Sequence, residues 1–546
     1  MKHMKTVKYA LAGVALCSSS MLFGQGVVDA LKYSQQDIRG TARYMGMAGA
    51  FGALGGDITT LSQNPAGIGV YRNSDVAATI DFSNQVSTVN TAGEKYTDNK
   101  FKFACNNFGL VWTVRFNQEA LRNVNFGFAY NKQKSFDRSY KTSYSGITGA
   151  SSLSGYIAQM SNGYTTNDLA YNDNSSYDPY NSNPWLNVLG YQSYLINSKG
   201  NDTWNSIVGT GSTATGDLFV REKGSIDEYN FNIGGNIYDV FYWGLGITVT
   251  DFSYDLQSGY GENFTNGYMP NDDGTVGTAN TNGWYLMQNL LHTNGSGVKF
   301  NVGAIMRVTN SFRLGLAFHT PNYYKMTDTY AASVAYNFDR SGTSYNDRAE
   351  TPSGSYSYEF RSPWRVIASA AYVFGKGGIL SFDYEYTAND DMTFDDPYSI
   401  DMFYKTNQEI PQIVSPMHTF KVGGEFRISP QFSARLGYAY QTSPVKSTYR
   451  SGHEIPTAGT VTSFTLDRAT NYFTVGLGYR FSNIYADIAY VHRYRSSELF
   501  PFSPIPDPDA VLNPNEMDTP SLLISPQIST LTDHNNSFVL TMGVKF

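Results

Sequence analysis

The sequence predicts an all-β protein, a transmembrane antiparallel β-barrel of about 14 strands with an N-terminal plug. Three observations lead to this fold class. Amphipathic segments with a period of two recur along the chain, their connections alternate between short and long, and the last such segment ends the chain on Phe546. A membrane barrel accounts for all three, because each strand presents an apolar face to lipid and the final strand must close the ring.

The composition agrees with this fold class. Aromatic residues make up 15% of the chain and charged residues only 16%, with 42 Tyr, 6 Trp and 51 Gly. Strands that face lipid on one side and water on the other use such residues. The net charge of -7 offers no basic surface for nucleic acid, so nucleic acid is not expected as a partner.

Residues 1–24 have the order of a secretory signal peptide: a lysine-containing start, an apolar core and a small residue. We place the cleavage site between Gly24 and Gln25. Cys17 invites a lipoprotein interpretation, but Leu16 before it is larger than the residue that lipidation normally requires. No later stretch approaches the roughly 20 apolar residues of a membrane helix, so membrane insertion has to use strands.

Residues 25–75 are interpreted as a plug segment. The stretch from Thr41 to Asp57 is rich in Gly and Ala, which allow backbone to pack closely against a wall. The alternative is a disordered periplasmic arm, which the low charge and the apolar content disfavour.

Residues 76–546 are assigned to the barrel and its loops. In a typical segment Leu380, Phe382 and Tyr384 alternate with Ser381 and Asp383, so one face is apolar and the other is polar. The apolar faces are expected to meet lipid, and the polar faces the lumen. The predicted strands are 76–88, 106–117, 122–132, 227–239, 242–255, 297–309, 311–320, 364–374, 378–388, 417–428, 431–442, 470–481, 483–495 and 536–546.

Short and long connections alternate along this series without a break. Short joins are predicted at 117–121, 240–241, 310, 375–377, 429–430 and 482, and every other connection is long, including 89–105 and 133–226. Outer-membrane barrels have short periplasmic turns and long outer loops. The alternation of short and long connections indicates an even number of strands, with both chain ends on the side of the short turns.

Two long loops contain apolar residues at helical spacing. Trp185 and Leu189 fall on one face of a predicted short helix, and Trp284 and Met287 on one face of another. They either pack the loops together or form a candidate capture groove at the outer mouth.

The residues ahead of the first strand resemble the FadL family of outer-membrane transporters for long-chain fatty acids and other hydrophobic compounds. The resemblance rests on the small-residue run, Asp57 and the motif Asn64-Pro65-Ala66-Gly67. It implies a 14-stranded barrel plugged by a hatch that Asn64, Pro65, Ala66 and Gly67 shape. Pro65 restricts its own φ and the conformation of Asn64, whose amide can bond nearby backbone.

The resemblance also implies a transport route. A hydrophobic molecule would be captured outside, pass to a pocket above the hatch and leave sideways through a gap in the wall. A lateral gap avoids exposing hydrocarbon to a wet lumen, which costs about 0.8 kcal/mol per CH₂. Gly127, in the third predicted strand, is the candidate wall kink, because glycine often marks a bulge or bend.

The chain contains no Gly-x-Ser-x-Gly elbow, phosphate loop or His-Glu-x-x-His motif. We therefore predict no catalytic residues, no metal site and no cofactor. The acidic pairs Asp390-Asp391 and Asp395-Asp396 are expected to be solvated, although calcium binding is an alternative. Cys105 is expected to be a packed thiol. His319 and His492, near strand ends, are expected to be hydrogen-bonded or wetted rather than metal-bound.

The predicted function is passive uptake of hydrophobic molecules such as long-chain fatty acids across the bacterial outer membrane, with hatch-gated lateral release. Hydrophobic small molecules and outer-membrane lipids are the predicted partners, and haemin is another candidate cargo. Two other classes stay open. One is a non-transport barrel in protein secretion or cell-surface assembly, with an extracellular or periplasmic protein partner, and the other is a lipid-modifying outer-membrane protein.

Overall fold

The structure is a computed structural model that describes residues 25–117, 120–171, 177–269, 279–399, 402–451, 453–457, 459–508 and 521–546. The predicted signal peptide, its cleavage site before Gln25 and Cys17 lie at or beyond the edge of these ranges. They stay predictions.

Helices occur in the N-terminal segment and in the outer loops. The α-helices are α1 Val27–Ser34, α2 Ala42–Gly46, α3 Thr60–Gln63, α4 Leu153–Met160, α5 Thr166–Leu169, α6 Trp185–Gln192 and α7 Tyr404–Ile413, and the 3₁₀ helices are Pro65–Val70, Gly149–Ser151, Pro179–Asn181, Asn389–Asp391 and Ser447–Ser451. Among the described residues, no helix is both long enough and apolar enough to cross a membrane.

Strands make up most of the remaining chain. They are β1 Asp75–Thr91, β2 Glu94–Arg115, β3 Leu121–Ser135, β4 Arg138–Ile147, β5 Ile196–Gly200, β6 Thr203–Ser206, β7 Thr213–Ile237, β8 Phe241–Tyr268, β9 Ala279–Arg307, β10 Phe312–His319, β11 Tyr323–Arg340, β12 Thr343–Glu350, β13 Gly354–Arg361, β14 Arg365–Phe374, β15 Gly378–Thr387, β16 Thr393–Asp395, β17 Met417–Arg427, β18 Phe432–Gln441, β19 Phe464–Phe481, β20 Ile484–Phe500, β21 Ile505–Pro506, β22 Leu522–Ile524 and β23 Ser529–Lys545.

Fourteen of these strands form a closed antiparallel barrel, as the sequence predicts. The ring closes where β23 pairs with β1, from Asp75 opposite Lys545 to Asn90 opposite Thr530. The N–H of Phe546 donates to the carbonyl of Ser74 at 3.0 Å, so the last residue joins the start of the first strand. In order around the ring the strands are β1, β2, β3, β7, β8, β9, β10, β14, β15, β17, β18, β19, β20 and β23.

The predicted strands match the membrane part of the barrel but end too early on the outer side. β2 begins at Glu94 rather than at 106, and β7 begins at Thr213 rather than at 227. The predicted long connection at 89–105 is a hairpin whose turn residues, Ala92 and Gly93, have φ of 50° and 95°. The extensions were missed because most of their length rises above the lipid, where neither face of a strand has to be apolar.

The outward face of the barrel is apolar and exposed. On β19, Phe473 and Leu477 are 54% and 57% exposed, whereas the intervening Thr474 is buried in the lumen. A soluble protein would cover such a face. In a closed barrel this face is the surface that meets lipid, so the chain spans the membrane through these strands.

Inside the barrel lies the N-terminal segment, residues 25–74. Its middle part is packed among inward-facing side chains, and Ala42, Met47, Ala48 and Phe51 are fully buried. Above it, α4, α6 and the β5–β6 hairpin share a large hydrophobic cluster at the outer end of the barrel. The lumen is thus plugged by the N-terminal segment and capped by loops.

Candidate functional site

The Asn64-Pro65-Ala66-Gly67 motif is a rigid corner of the plug. Asn64 Oδ1 accepts the backbone N–H of Ala66 at 3.1 Å, and Asn64 Nδ2 donates to the carbonyl of Gly52 at 2.6 Å. Pro65 is the first residue of the 3₁₀ helix, where its missing N–H costs nothing. The four motif residues are buried.

Glycines on the inner wall make room for this corner. A Cβ on Gly303 would come within 2.0 Å of Asn64 Oδ1, and a Cβ on Gly244 within 2.1 Å of the Pro65 carbonyl oxygen. The corner therefore sits directly on the backbone of β8 and β9. Sequence reasoning missed these wall glycines, because nearly every predicted strand contains glycine and the pattern does not show which ones face the plug.

A buried carboxylate on the wall holds the other side of the hatch. Asp383 Oδ2 accepts the backbone N–H groups of Phe51 and Gly52 at 3.0 and 2.9 Å, and Nε2 of Gln63 at 3.0 Å. Hydrogen bonds to a charged acceptor contribute about 1.5–3 kcal/mol each. The hatch is therefore bound to the wall at a defined point as well as packed against it.

Ion pairs tie the upper part of the N-terminal segment to the wall. Asp37 Oδ1 lies 2.5 Å from Nη1 of Arg493, and Nη1 of Arg39 lies 3.3 Å from Oδ2 of Asp81. Burial by itself would raise the pKa of Asp37. The charges of Arg493, Lys134 and Arg39 outweigh it and hold that pKa well below its usual range. Asp37 is thus ionised and paired.

Below the outer loops lies a largely apolar cavity that is partly open to solvent. Leu256, Leu291, Tyr330, Val461 and Phe464 supply most of its apolar lining, and α1 forms one side. We refer to it as the outer cavity.

A second cavity, also partly open, lies deeper in the lumen, and we refer to it as the lumen cavity. It shares Val28, Lys32, Leu256 and Phe464 with the outer cavity, so the two adjoin at α1. Its deeper lining is charged. Arg138 pairs with Asp533 at 3.2 Å, and Arg495 of β20 pairs with the same carboxylate.

The wall contains a seam beside the lumen cavity. The β2–β3 ladder ends at the pair Asn107–Asn131, and in the described residues no ladder joins β2 above Asn107 to β3 or β4. Side chains bridge this interval instead. Lys102 forms an ion pair with Asp137, and Ser139 Oγ donates to Asp98 at 2.8 Å. Asp137 also lines the lumen cavity, so only side chains separate cavity and seam there.

The candidate wall kink is not where the sequence indicated. The ladder of β3 runs through Gly127 without irregularity, opposite Val111 on β2 and Asn232 on β7. The register of β3 shifts at Leu121/Asn123 and at Lys132/Lys134 instead. Gly127 faces inward, where a Cβ would come within 2.5 Å of Leu61 Cδ2, so this glycine admits the hatch rather than bending the wall.

The candidate capture residues are dispersed. Trp185 and Leu189 lie on α6, as predicted, but Leu189 is fully buried and Trp185 packs against Tyr330 with ring centroids 5.0 Å apart. The predicted helix around Trp284 and Met287 is wrong, because both lie on β9. Trp284 points outward and is 40% exposed, whereas Met287 is buried in the lumen. Strand pairing with β8 and β11 overrides the helical spacing here. As a capture groove the four residues stay a prediction, and the outer cavity has a different lining.

Several of the remaining polar candidates have structural partners. His319 Nε2 lies 2.7 Å from the carbonyl of Gln63, and Asp391 pairs with Arg361 at 3.3 Å. Within the described ranges there is no group of three or more His, Cys, Asp or Glu side chains placed to hold a metal ion. Cys105 is an exposed free thiol on β2 rather than the packed side chain expected.

Comparison with known proteins identifies the fold. A FadL homologue of Pseudomonas aeruginosa matches 94% of this chain and 100% of its own, with 14% identity and a TM-score of 0.50. The toluene transporter TodX of P. putida matches 93% and 99%, with 10% identity and a TM-score of 0.49. A deletion variant of TodX, described as a monoaromatic hydrocarbon channel, matches 93% and 100%, with 10% identity and a TM-score of 0.50. No family profile and no curated protein sequence matches. The chain therefore has the FadL-type fold that its N-terminal motif indicated.

Proposed function

We propose that this protein is an outer-membrane channel for the passive uptake of hydrophobic molecules, which leave the lumen sideways into the membrane. One observation carries the proposal: the outer cavity, the lumen cavity and the wall seam adjoin in series above a firmly held hatch. A molecule that follows this series does not have to displace the hatch.

The first step is capture in the outer cavity. Its side chains Leu256, Leu291 and Phe464 offer an apolar surface beneath the loops, open in part to solvent. Moving an apolar molecule from water to such a surface is favourable by about 25 cal/mol per Å² buried. Concave, mostly apolar cavities with a few polar groups are the usual form of small-molecule sites.

The second step is passage beside α1 into the lumen cavity. Val28, Leu31 and Phe464 keep an apolar surface on that side, while the opposite side carries ion pairs. Because these arginines and carboxylates neutralise one another, the cavity does not demand a charged cargo. This supports neutral hydrocarbons as well as fatty acids as cargo.

The third step is exit through the seam. Separation of Lys102 from Asp137 would open the lumen cavity between β2 and β4. On the other face of β2, Phe101 and Phe103 are 69% and 59% exposed, which provides apolar surface directly outside the seam. Sideways exit spares the cargo a longer path through water, where each exposed CH₂ costs about 0.8 kcal/mol.

The fold comparisons suggest which compounds to test first. The TodX variant of the same fold is described as a monoaromatic hydrocarbon channel. Aromatic hydrocarbons therefore join long-chain fatty acids as the first candidate cargoes, and haemin is included as a bulky comparison.

The test is a reversible lock on the seam. Lys102→Cys and Asp137→Cys are introduced together in a Cys105→Ser background, since Cys105 is exposed. We expect a short reducible thiol cross-linker to block uptake of a labelled fatty acid or of toluene into whole cells, and reduction to restore it. A matched control pair at Thr88 and Thr97, which face each other on the paired β1–β2 hairpin, should have no effect.

Two results would contradict the proposal. If the locked seam transports at the unlocked rate, the cargo does not leave there. If native mass spectrometry of the purified protein with fatty acids, aromatics and haemin shows an empty barrel that instead retains a protein partner, a role in secretion or surface assembly is favoured.

A further inference from the structure

Four basic side chains meet at the seam, Lys100 and Lys102 on the inward-facing side of β2 and Arg221 and Lys223 on the outward-facing side of β7, and we name them the outer basic cluster. Lys100 lies within electrostatic range of the other three. Its Nζ is 3.5 Å from the backbone oxygen of Glu222, the residue between Arg221 and Lys223. Strands β2 and β7, which β3 separates in the ring, therefore bring four cations together across the seam on a chain whose net charge is -7.

The acidic groups around this cluster only partly neutralise it. Asp137 is shared by Lys102 and by Lys100, which lies 3.7 Å away. Asp255 stands opposite Lys223 in the β7–β8 ladder, but its carboxylate is bound to His292 at 2.7 Å. The other nearby carboxylates are also engaged, since Asp98 accepts from Ser139, Asp217 accepts from Ser143 and Asp227 pairs with Lys132.

Arg221 and Lys223 form no ion pair within the part of the chain that the structure describes. Both point outward from β7 and are exposed, whereas Glu222 between them points into the lumen. Their charge is therefore available to a ligand outside the barrel.

The cluster lies at the outer edge of the apolar belt. Below it, Tyr130 and Tyr229 face outward with ring centroids 5.6 Å apart, and tyrosine is typical of the level where hydrocarbon meets headgroups. Phe101 lies between Lys100 and Lys102 in the sequence but on the opposite, outer face of β2, where it is 69% exposed. The cluster thus stands at the height of lipid headgroups, with aromatic surface beside it for acyl chains.

We propose that the outer basic cluster binds the phosphate groups of an outer-leaflet lipid whose acyl chains lie against Phe101 and Phe103. Arginine and lysine form short, charge-assisted hydrogen bonds to phosphate oxygens, and the arginine fork can bind two oxygens at once. Cations spread over β2 and β7 suit a headgroup with two phosphates better than a single carboxylate. The inference rests on the position of the barrel in the membrane and not on its cargo.

The test uses the full-length mature protein, purified in detergent, and native mass spectrometry. The probes are diphosphorylated lipid A, monophosphorylated lipid A, phosphatidylethanolamine and palmitate. We expect the diphosphorylated lipid to be retained most, and the double variant Arg221→Gln/Lys223→Gln to weaken its retention roughly tenfold. The control Lys325→Gln removes an exposed cation on β11 and should bind as the wild type does.

The outcomes separate the alternatives. All variants are first compared as heat-modifiable bands on a gel, so that a folding defect is not read as lost binding. Equal retention by wild type and the double variant overturns the proposal, as does equal retention of phosphatidylethanolamine. Loss of palmitate retention in the double variant, with retention of the diphosphorylated lipid unchanged, would assign the cluster to a carboxylate and also overturn the phosphate assignment. None of these results bears on whether the locked seam blocks uptake.

Discussion

At the scale of single residues, the hatch is defined by what the wall lacks. Asn64 and Pro65 contact the backbone of the barrel wall directly. This contact is possible because the wall residues there, Gly244 and Gly303, have no side chains. The motif and the wall glycines are therefore one structural unit, although they lie far apart in the sequence.

Gly303→Ala should dislodge the hatch corner while leaving the barrel closed. The new Cβ would lie 2.0 Å from Asn64 Oδ1, and overpacking of this kind costs about 1–3 kcal/mol. We expect faster hydrogen exchange at residues 64–70 and an unchanged heat-modifiable band. Gly424→Ala is the matched control, since its Cβ would meet only the Ile379 carbonyl at 3.7 Å. Equal exchange in both variants would show that the close contact is dispensable.

Asp37 makes the upper plug sensitive to acid. Its folded-state pKa is lowered by Arg493, Lys134 and Arg39, against the effect of burial. A carboxyl group whose pKa is lowered by folding stabilises the folded state at pH values above its unfolded-state pKa of about 4. This stabilisation is lost as the pH falls through the folded-state pKa. Pulsed hydrogen exchange at residues 35–40 should therefore be protected alike at about pH 7 and about pH 5, and should lose protection only below about pH 4. In Asp37→Asn this acid-dependent loss should disappear; protection lost already near pH 5 would contradict the ion-pair account.

At the scale of elements, α1 separates the two cavities. The helix is anchored to the wall near both of its ends. Close to its C-terminal end Lys32 Nζ lies 3.3 Å from Glu222 on β7, and just before its N-terminal end Gln25 Nε2 donates to Asp328 on β11 at 2.7 Å. Val28 lines both cavities, which places it at the passage between them.

Val28→Trp should narrow this passage. Because the indole would fill space that both cavities share, we expect uptake of fatty acid or toluene to fall several-fold, without loss of ligand capture in the outer cavity. Whole-cell uptake is compared with ligand retention in native mass spectrometry. Tyr398→Trp, on a 93% exposed loop position, is the control. Unchanged uptake in Val28→Trp would place the cargo path elsewhere.

At the scale of the whole molecule, closure of the ring depends on the last strand. β23 pairs with both β20 and β1 over nearly all of its length, so it completes the barrel on both sides. An open edge in lipid would leave backbone groups without partners, each at a cost of several kcal/mol.

Deletion of Phe546 should impair assembly. The residue is 63% exposed to lipid, and its backbone N–H bonds Ser74 at the start of the ring. We expect less of the heat-modifiable folded band in membranes, whereas Phe546→Tyr keeps an aromatic terminus and should assemble. Normal assembly of the deletion variant would show that the terminal aromatic is not needed for closure.

The fold class and the strand number could be predicted from the sequence alone, and Asn64-Pro65-Ala66-Gly67 could be identified as a candidate hatch motif. These follow from local patterns: a strand that meets lipid must alternate, as Leu380 to Tyr384 do, and periplasmic turns must be short. Asn64 and Pro65 were recognisable because their roles, a side-chain cap and a fixed φ, are set within a few residues. Alternation fails above the lipid, which is why the outer extensions of β2 and β7 and the strand at Trp284 were not predicted.

Which residues meet across the lumen could not be predicted without the folded structure. The anchoring of Phe51 by Asp383, the choice of Gly303 rather than other glycines and the position of the seam at Lys102 and Asp137 all join segments far apart in the chain. The alternating pattern shows that a side chain points inward, but not what it faces, because that depends on the shear and curvature of the closed ring. For the same reason the sequence pattern suggested a bend in the wall at Gly127, whereas the missing side chain of this glycine makes room for Leu61.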